Sequence, residues 1–318
     1  MKVKAILPLV LITALTSCSQ KTVVLEDKIF CFDTYVESKL FEGNKTDISY
    51  IRDLFQEYDK LADNYQARDV TNVYTINNTN DSLQIDEKLY RLIGQSMDVR
   101  LEGASHFNIL CGSLAKKWKE ALKNQQILDE NTIKEELSKI KNTYLVSEGK
   151  DNFQRIGEAE IDLGGIVKGF VLDEVLEYLN QREIKKYLIN AGESSILLGE
   201  KQSKDGLFNV GIKDIPNAYL KLKNCFVSTS ANYVQGVTID GVKYSHIVDP
   251  ITGSAINKHD AVIVVSDKGY YSDAMSTSFM MSKVEDIIKR EEMSNIQTIV
   301  IENNRIVYCN ENLKIYYH

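Results

Sequence analysis

Residues 161–169 read Ile161-Asp162-Leu163-Gly164-Gly165-Ile166-Val167-Lys168-Gly169, and the character of the chain changes around them. The pattern predicts a strand ending at Asp162, a tight turn on two glycines, and a helix from near Ile166 to about residue 181. Upstream, Ile48, Ile51, Leu54, Phe55, Tyr58 and Leu61 fall on one face of a helix over 48–64. Leu89, Leu92, Ile93, Met97 and Leu101 do the same after Asp86, and 112–123 and 130–141 also read as helices. Residues 29–40 (IFCFDTYVESKL) read as one strand from their β-branched and aromatic content. Downstream come short β-rich runs at 186–190, 195–199, 207–213, 225–228, 236–247 and 261–265. A helix near 273–292 and strands near 297–301, 305–308 and 313–317 complete the pattern. Helices gathered early and strands late predict an α+β fold and not a regular βαβ alternation.

The chain has 318 residues, 43% hydrophobic and 26% charged, the profile of a folded protein with a sizeable core. A net charge of −7 with no basic run argues against nucleic acid as a partner. Five cysteines, at 18, 31, 111, 225 and 309, form no CxxC and no zinc spacing. At the amino end, Lys2 and Lys4 precede a short apolar run from Ala5 to Ala14, then Leu15-Thr16-Ser17-Cys18. A run this short suits a signal-peptide core better than a spanning helix. Small residues directly before Cys resemble the bacterial lipoprotein cleavage box, which predicts a signal at 1–17 and a lipidated Cys18. A plain secretory signal or an uncleaved anchor are the alternatives. The polar stretch 19–28 then reads as a tether, 29–318 as the functional domain, and the cell envelope as the location, facing the periplasm or exterior.

Five segments carry candidate chemistry. In 161–169 the glycines let a ligand approach the backbone, the helix start offers N–H groups to an anion, and Lys168 adds a cation. A simple turn with a solvated lysine fits the same residues. His246, at a strand end beside the turn residues Asp249-Pro250-Ile251-Thr252-Gly253, can accept a proton at neutral pH or merely bond the turn. Asp273, Ser276 and Thr277 stand at i, i+3 and i+4, an oxygen set suited to Mg²⁺; capping by Ser272 or Asp273 is the plainer role. Tyr65, at a helix end, suits either stacking on an aromatic ligand or the core. His106-Phe107-Asn108 precedes a helix carrying Trp118.

The order of these pieces is more specific than any one of them. DLGGIVKG, INAGE, VGIKD, VSTSANY, HIVDPITG and SDAMST, in that sequence, resemble the FAD:protein FMN transferases, the ApbE-type lipoproteins. The resemblance covers nearly all of 29–309 and implies a single catalytic unit with helices flanking mixed or antiparallel sheets. It implies that Asp162 and Lys168 contact FAD, that the Gly165 carbonyl with Asp273 and Thr277, and Ser276 as a further candidate, hold Mg²⁺, and that His246 is catalytic. By the same resemblance Tyr65 stacks on the isoalloxazine ring, and Phe32, His106, Phe107, Asn108 and Ile247 line the FAD pocket. The chain departs from the family pattern at four places. Asn108 replaces Asp, Gly192-Glu193 replaces Gly-Gly, Ser230-Ala231 replaces Ser-Gly, and Phe32-Asp33 replaces Met-Gly.

The implied activity is Mg²⁺-dependent transfer of the FMN moiety of FAD to a Ser or Thr hydroxyl of an acceptor protein, releasing AMP. FAD is then a substrate and not a redox group. The implied acceptor is a membrane-associated electron-transport subunit, reached by an enzyme anchored to the membrane through its lipid. An FAD pyrophosphatase giving FMN and AMP, or a flavin-binding lipoprotein without chemistry, are the competing readings.

Overall fold

The computed structural model describes residues 24–232 and 236–318; Cys18 and the expected signal lie outside them. The chain opens with a hairpin, β1 (Leu25–Cys31) and β2 (Thr34–Leu40). Five helices follow: α1 (Lys45–Ala62), α2 (Val73–Asn77), α3 (Glu87–Leu101), α4 (Gly112–Lys123) and α5 (Glu130–Lys141). A small hairpin, β3 (Tyr144–Ser147) and β4 (Phe153–Ile156), precedes α6 (Val167–Gln181). Next come β5 (Tyr187–Ala191), β6 (Ser195–Leu198), β7 (Phe208–Gly211), β8 (Ala218–Leu222), β9 (Cys225–Ala231), β10 (Val237–Ile239), β11 (Val242–Tyr244) and β12 (Ala261–Ser266). Helices α7 (Gly269–Phe279) and α8 (Val284–Met293) and strands β13 (Ile296–Glu302), β14 (Arg305–Cys309) and β15 (Ile315–Tyr317) close the chain.

Eight strands form one sheet in the order β1-β2-β5-β6-β9-β12-β13-β14, antiparallel at every pairing. This is the expected α+β arrangement. Strand periodicity sorts β9 cleanly between two cores. Phe226 joins the core with Val171, Val175, Ala274 and Met275 of α6 and α7. Val227 joins a second core, under the three-stranded sheet β15-β8-β7, with Phe208, Leu220 and Ile263. The sheet is therefore apolar on both faces, with helices on one side and a small sheet on the other.

Several expected boundaries move. The strand expected over 29–40 is the hairpin β1–β2, with Phe32 (φ 53°) and Asp33 (φ 56°) as its two-residue turn. Two consecutive positive φ values make the turn whose twist matches a hairpin, and glycine is the usual signal for it. Its absence at 32–33 hid the turn. β1 also begins inside the expected tether, at Leu25. Residues 236–247 divide into β10 and β11 at Asp240 (φ 50°) and Gly241 (φ 78°). The helix expected near 273–292 is two, and α7 starts four residues earlier, at Gly269. Cys31, Cys111, Cys225 and Cys309 are free thiols.

Candidate active site

Helices α6 and α7 meet backbone to backbone. A Cβ on Gly169 would stand 2.2 Å from the Gly269 carbonyl oxygen and 2.7 Å from the Asp273 Cβ. This glycine of the DLGGIVKG segment thus serves helix contact and not ligand approach. Neither helix carries a side-chain cap of its own. The Gly169 amide of α6 instead donates to Asp273 Oδ2 at 2.9 Å, and Ser195 Oγ on β6 donates to Asp273 Oδ1 at 3.1 Å. The capping role expected as an alternative for Asp273 therefore exists, but for the neighbouring helix.

Asp273 is 4% exposed, and that burial raises its pKa above the usual carboxylate range although Lys168 and its two donors oppose the rise. Its hydrogen-bond donors are neutral, so an ionised carboxylate here lacks a bonded counter-cation. One turn on, Thr277 Oγ1 lies 3.2 Å from Ser230 Oγ. A Cβ on Gly165 would lie 3.3 Å from that Thr277 oxygen and 3.1 Å from the Phe107 ring. Gly165, Asp273 and Thr277 all line one cleft of about 1250 Å³. A buried carboxylate, a hydroxyl and a peptide carbonyl are hard oxygen donors, and they fit Mg²⁺. No group of three or more His, Cys, Asp or Glu converges among the described residues, so a cation here rests on this mixed set. Ser276 has the same two partners as Thr277, the Asp273 carbonyl (2.9 Å) and Ser230 Oγ (2.9 Å), but it is fully buried and does not line the cleft.

No strand forms at Asp162. Residues 159–163 form no regular element and are fixed by side chains and loops in place of a ladder. Ile161 exchanges two bonds with the Asn77 side chain (2.7 and 2.9 Å), and the Asp162 amide donates to the Ile109 carbonyl at 2.7 Å. Asp162 Oδ1 then accepts from the Gly164 amide at 2.8 Å, closing the turn that precedes α6. Lys168 Nζ reaches the Gly164 carbonyl at 3.4 Å and lines the cleft beside Asp162.

The same cleft is lined by His246 and Ile247. His246 keeps exposed surface because it faces the open cleft. The protein around that cleft still desolvates the ring and lowers its pKa, with Lys168 and Lys119 adding to the effect and Asp162 opposing it. His106 Nδ1 lies 2.9 Å from Asp249 Oδ1, joining the His-Phe-Asn and DPxTG segments, while its amide donates to Ser278 Oγ at 3.0 Å. Asn108 Oδ1 accepts from the Leu110 amide at 3.0 Å and caps a 3₁₀ turn, Ile109–Cys111. Aspartate would cap the same turn, so the substitution removes a charge and keeps the geometry. Phe32, Tyr65 and Phe107 line the cleft too. Tyr65 is 56% exposed, with Lys116 Nζ and Lys119 Nζ 5.2 and 5.3 Å from its ring centre.

The expected residues thus share one cleft, Ser276 excepted. A model of the ApbE family matches residues 32–300. This chain belongs to the ApbE family. The FAD:protein FMN transferase of Klebsiella pneumoniae is 26% identical over 280 residues, covering 84% of this chain and 85% of that protein. The FAD:protein FMN transferase of Treponema pallidum is 27% identical over 215 residues, covering 61% of this chain and 59% of that one. Among solved structures, the ApbE protein of Thermotoga maritima superposes with a TM-score of 0.75 at 22% identity, covering 93% of this chain and 97% of that one. The flavin transferase ApbE of Vibrio cholerae gives 0.72 at 18% identity with the same coverage. These two likenesses establish the ApbE fold.

Ser195 and Asn77 are not signalled by the sequence. Ser195 meets Asp273 across 78 residues and Asn77 meets Ile161 across 84, with no local pattern to announce either. Asp249 stood within a quoted ApbE motif, next to a turn signal, and its bond to His106 was not foreseen.

Proposed function

We propose that this protein transfers the FMN moiety of FAD to a Ser or Thr hydroxyl of an acceptor protein, with AMP as the second product. The observation that carries this reading is the convergence, in an ApbE-family chain, of His246 with the oxygen set Gly165, Asp273 and Thr277 on one cleft. The names of the curated relatives support it.

In this reading Lys168 and the turn at Gly164 and Gly165 face the pyrophosphate of FAD, Asp162 contacts FAD and shapes that turn, and Tyr65 offers its exposed ring to the isoalloxazine. Phe32, Phe107, Asn108 and Ile247 enclose the flavin half, and His106 holds its wall of the cleft through Asp249. The Gly165 carbonyl, Asp273 and Thr277 would hold Mg²⁺, which when bound supplies positive charge against the developing negative charge of phosphoryl transfer. The acceptor hydroxyl oxygen attacks the phosphorus on the FMN side. A phosphoester bond forms, the bond to the bridging oxygen breaks, and AMP leaves with that oxygen. His246, neutral because its pKa is lowered, takes the hydroxyl proton.

The amino-terminal pattern supports a further part of the proposal: removal of a signal at 1–17, lipidation of Cys18, and work at the cell envelope on a membrane-associated electron-transport acceptor. The domain beyond the tether is the catalytic unit. Two acyl chains or more make such an anchor firm, at about 0.8 kcal/mol per buried CH₂.

AMP release from FAD and Mg²⁺, measured by chromatography with and without an acceptor protein, tests the reading. Release that requires the acceptor supports transfer. Equal release into water alone makes the protein a pyrophosphatase.

A further inference from the structure

We propose that Asp173 is a positioning residue, clasping the amino end of α7 to α6 and thereby setting where Asp273 and Thr277 stand. The inference rests on the metal assignment made above. Asp173 Oδ1 accepts from the Gly269 amide at 2.8 Å and Oδ2 from the Tyr270 amide at 2.7 Å. These are the first two residues of α7, and α7 has no side-chain cap from its own flank. Asp173 sits four residues after Gly169, so the two share one face of α6.

The consequence is a reciprocal clasp. An α6 amide, Gly169, donates to an α7 carboxylate, Asp273. Two α7 amides donate to an α6 carboxylate, Asp173. Between the two pairs the glycine backbones touch. The turn before α6 brings Gly165, and α7 brings Asp273 from its second turn and Thr277 from its last. A small rotation of one helix on the other would therefore separate the three oxygens. Only the Asp173 pair is free of the candidate ligands, so it alone can be altered without touching them.

The clasp comes with a cost to the fold. Burial pushes the Asp173 carboxyl up to about 7, with Glu174 adding to the rise and the two amides and Lys268 opposing it. With the folded pKa raised, stability falls as pH rises from the ordinary carboxylate range through about 7, where the buried group ionises. A neutral residue at 173 escapes that penalty, so helix positioning and overall stability can be separated by experiment.

Asp173→Asn keeps the shape but offers one acceptor oxygen, and sets an NH₂ against the second amide. Asp173→Glu keeps both oxygens one methylene further out. Mn²⁺ alone is titrated into wild type and both variants at pH 8 by electron paramagnetic resonance, with Asp273→Ala as the control and thermal unfolding run in parallel. The expected result is Mn²⁺ affinity reduced at least tenfold in Asp173→Asn and less in Asp173→Glu, with cooperative unfolding kept near the wild-type temperature. Unchanged affinity in both variants, while Asp273→Ala abolishes binding, overturns the role of Asp173. A wild-type protein that binds no Mn²⁺, or binding that survives Asp273→Ala, overturns the metal assignment and this role with it.

Discussion

Gly169 and Gly269 touch through their backbones, each so close that a Cβ on either would stand 2.2 Å from the other's carbonyl oxygen. No side chain can enter that contact without parting α6 from α7. Gly169→Ala is therefore expected to destabilise the protein by about 1–3 kcal/mol, the usual cost of overpacking, and to remove activity beyond what the lost stability explains. Urea denaturation and an activity assay at a temperature where the variant stays folded check both parts.

His246 is held towards its neutral form by desolvation first, then by Lys168 and Lys119, against Asp162. A base with a lowered pKa stays deprotonated to a lower pH, so the acidic limb of the kcat/KM profile should fall below the ordinary histidine range. Lys119→Gln removes one of the two cations and should move that limb to higher pH, leaving the plateau at pH 8 nearly unchanged. His246→Ala should lower kcat about 10²–10⁴-fold, as loss of a general base does. A limb that stays in place in Lys119→Gln would count against this electrostatic account of His246.

Asp249 ties its turn to His106. Burial pushes its carboxyl up, but bonds from His106, Thr252 and the Ile251 amide outweigh that and leave it below its ordinary value. A depressed acid contributes stability above the ordinary carboxylate range and loses it as pH falls through the depressed value. Asp249→Asn should thus cost stability at pH 7, on the order of 1–3 kcal/mol for a disrupted charged hydrogen bond, with the difference from wild type shrinking as pH falls from about 4 through the depressed value. Its KM for FAD should rise more than its kcat falls, because His106 lines the cleft without touching the reacting phosphorus. Thermal unfolding against pH and steady-state kinetics measure the two effects.

Glu193 stands at φ 60°, after Gly192 at φ 71°. A left-handed backbone costs a non-glycine residue about 1–2 kcal/mol, part of which glycine returns as chain entropy. Glu193→Gly should therefore raise stability by up to about 1 kcal/mol, read as a higher midpoint in chemical denaturation. Gly192→Ala should do the reverse, since its Cβ would meet Thr34 Cγ2 at 2.5 Å.

The long amphipathic helices were legible because their apolar faces recur at helical spacing, and the observed α1, α3, α4, α5 and α6 lie close to the expected spans. The turn at Phe32-Asp33 was not, because its residues lack the glycine that such a turn normally demands. The short hairpin β3–β4, the five-residue α2 and strand β8 were missed for want of a periodic signal over so few residues. In the site, motif order brought forward His246, Asp273, Thr277 and Gly165, which do share a cleft. Ser276 shares their helical spacing, yet it is fully buried and stays out of the cleft, because three positions on a helix face do not all meet one opening. The pairs that build the site, Asp273 with Ser195 and His106 with Asp249, span 78 and 143 residues, and only the sheet and helix packing unite them.

Transfer of FMN to protein is proposed to run through the Asp273 site. Mass spectrometry of a candidate acceptor incubated with the purified protein, FAD and Mg²⁺ tests it most directly. The expected result is an acceptor mass increased by one FMN on a Ser or Thr residue, lost on chelation of the metal and lost with Asp273→Ala. Free FMN and AMP with an unmodified acceptor, or full modification by the Asp273→Ala protein, would contradict it.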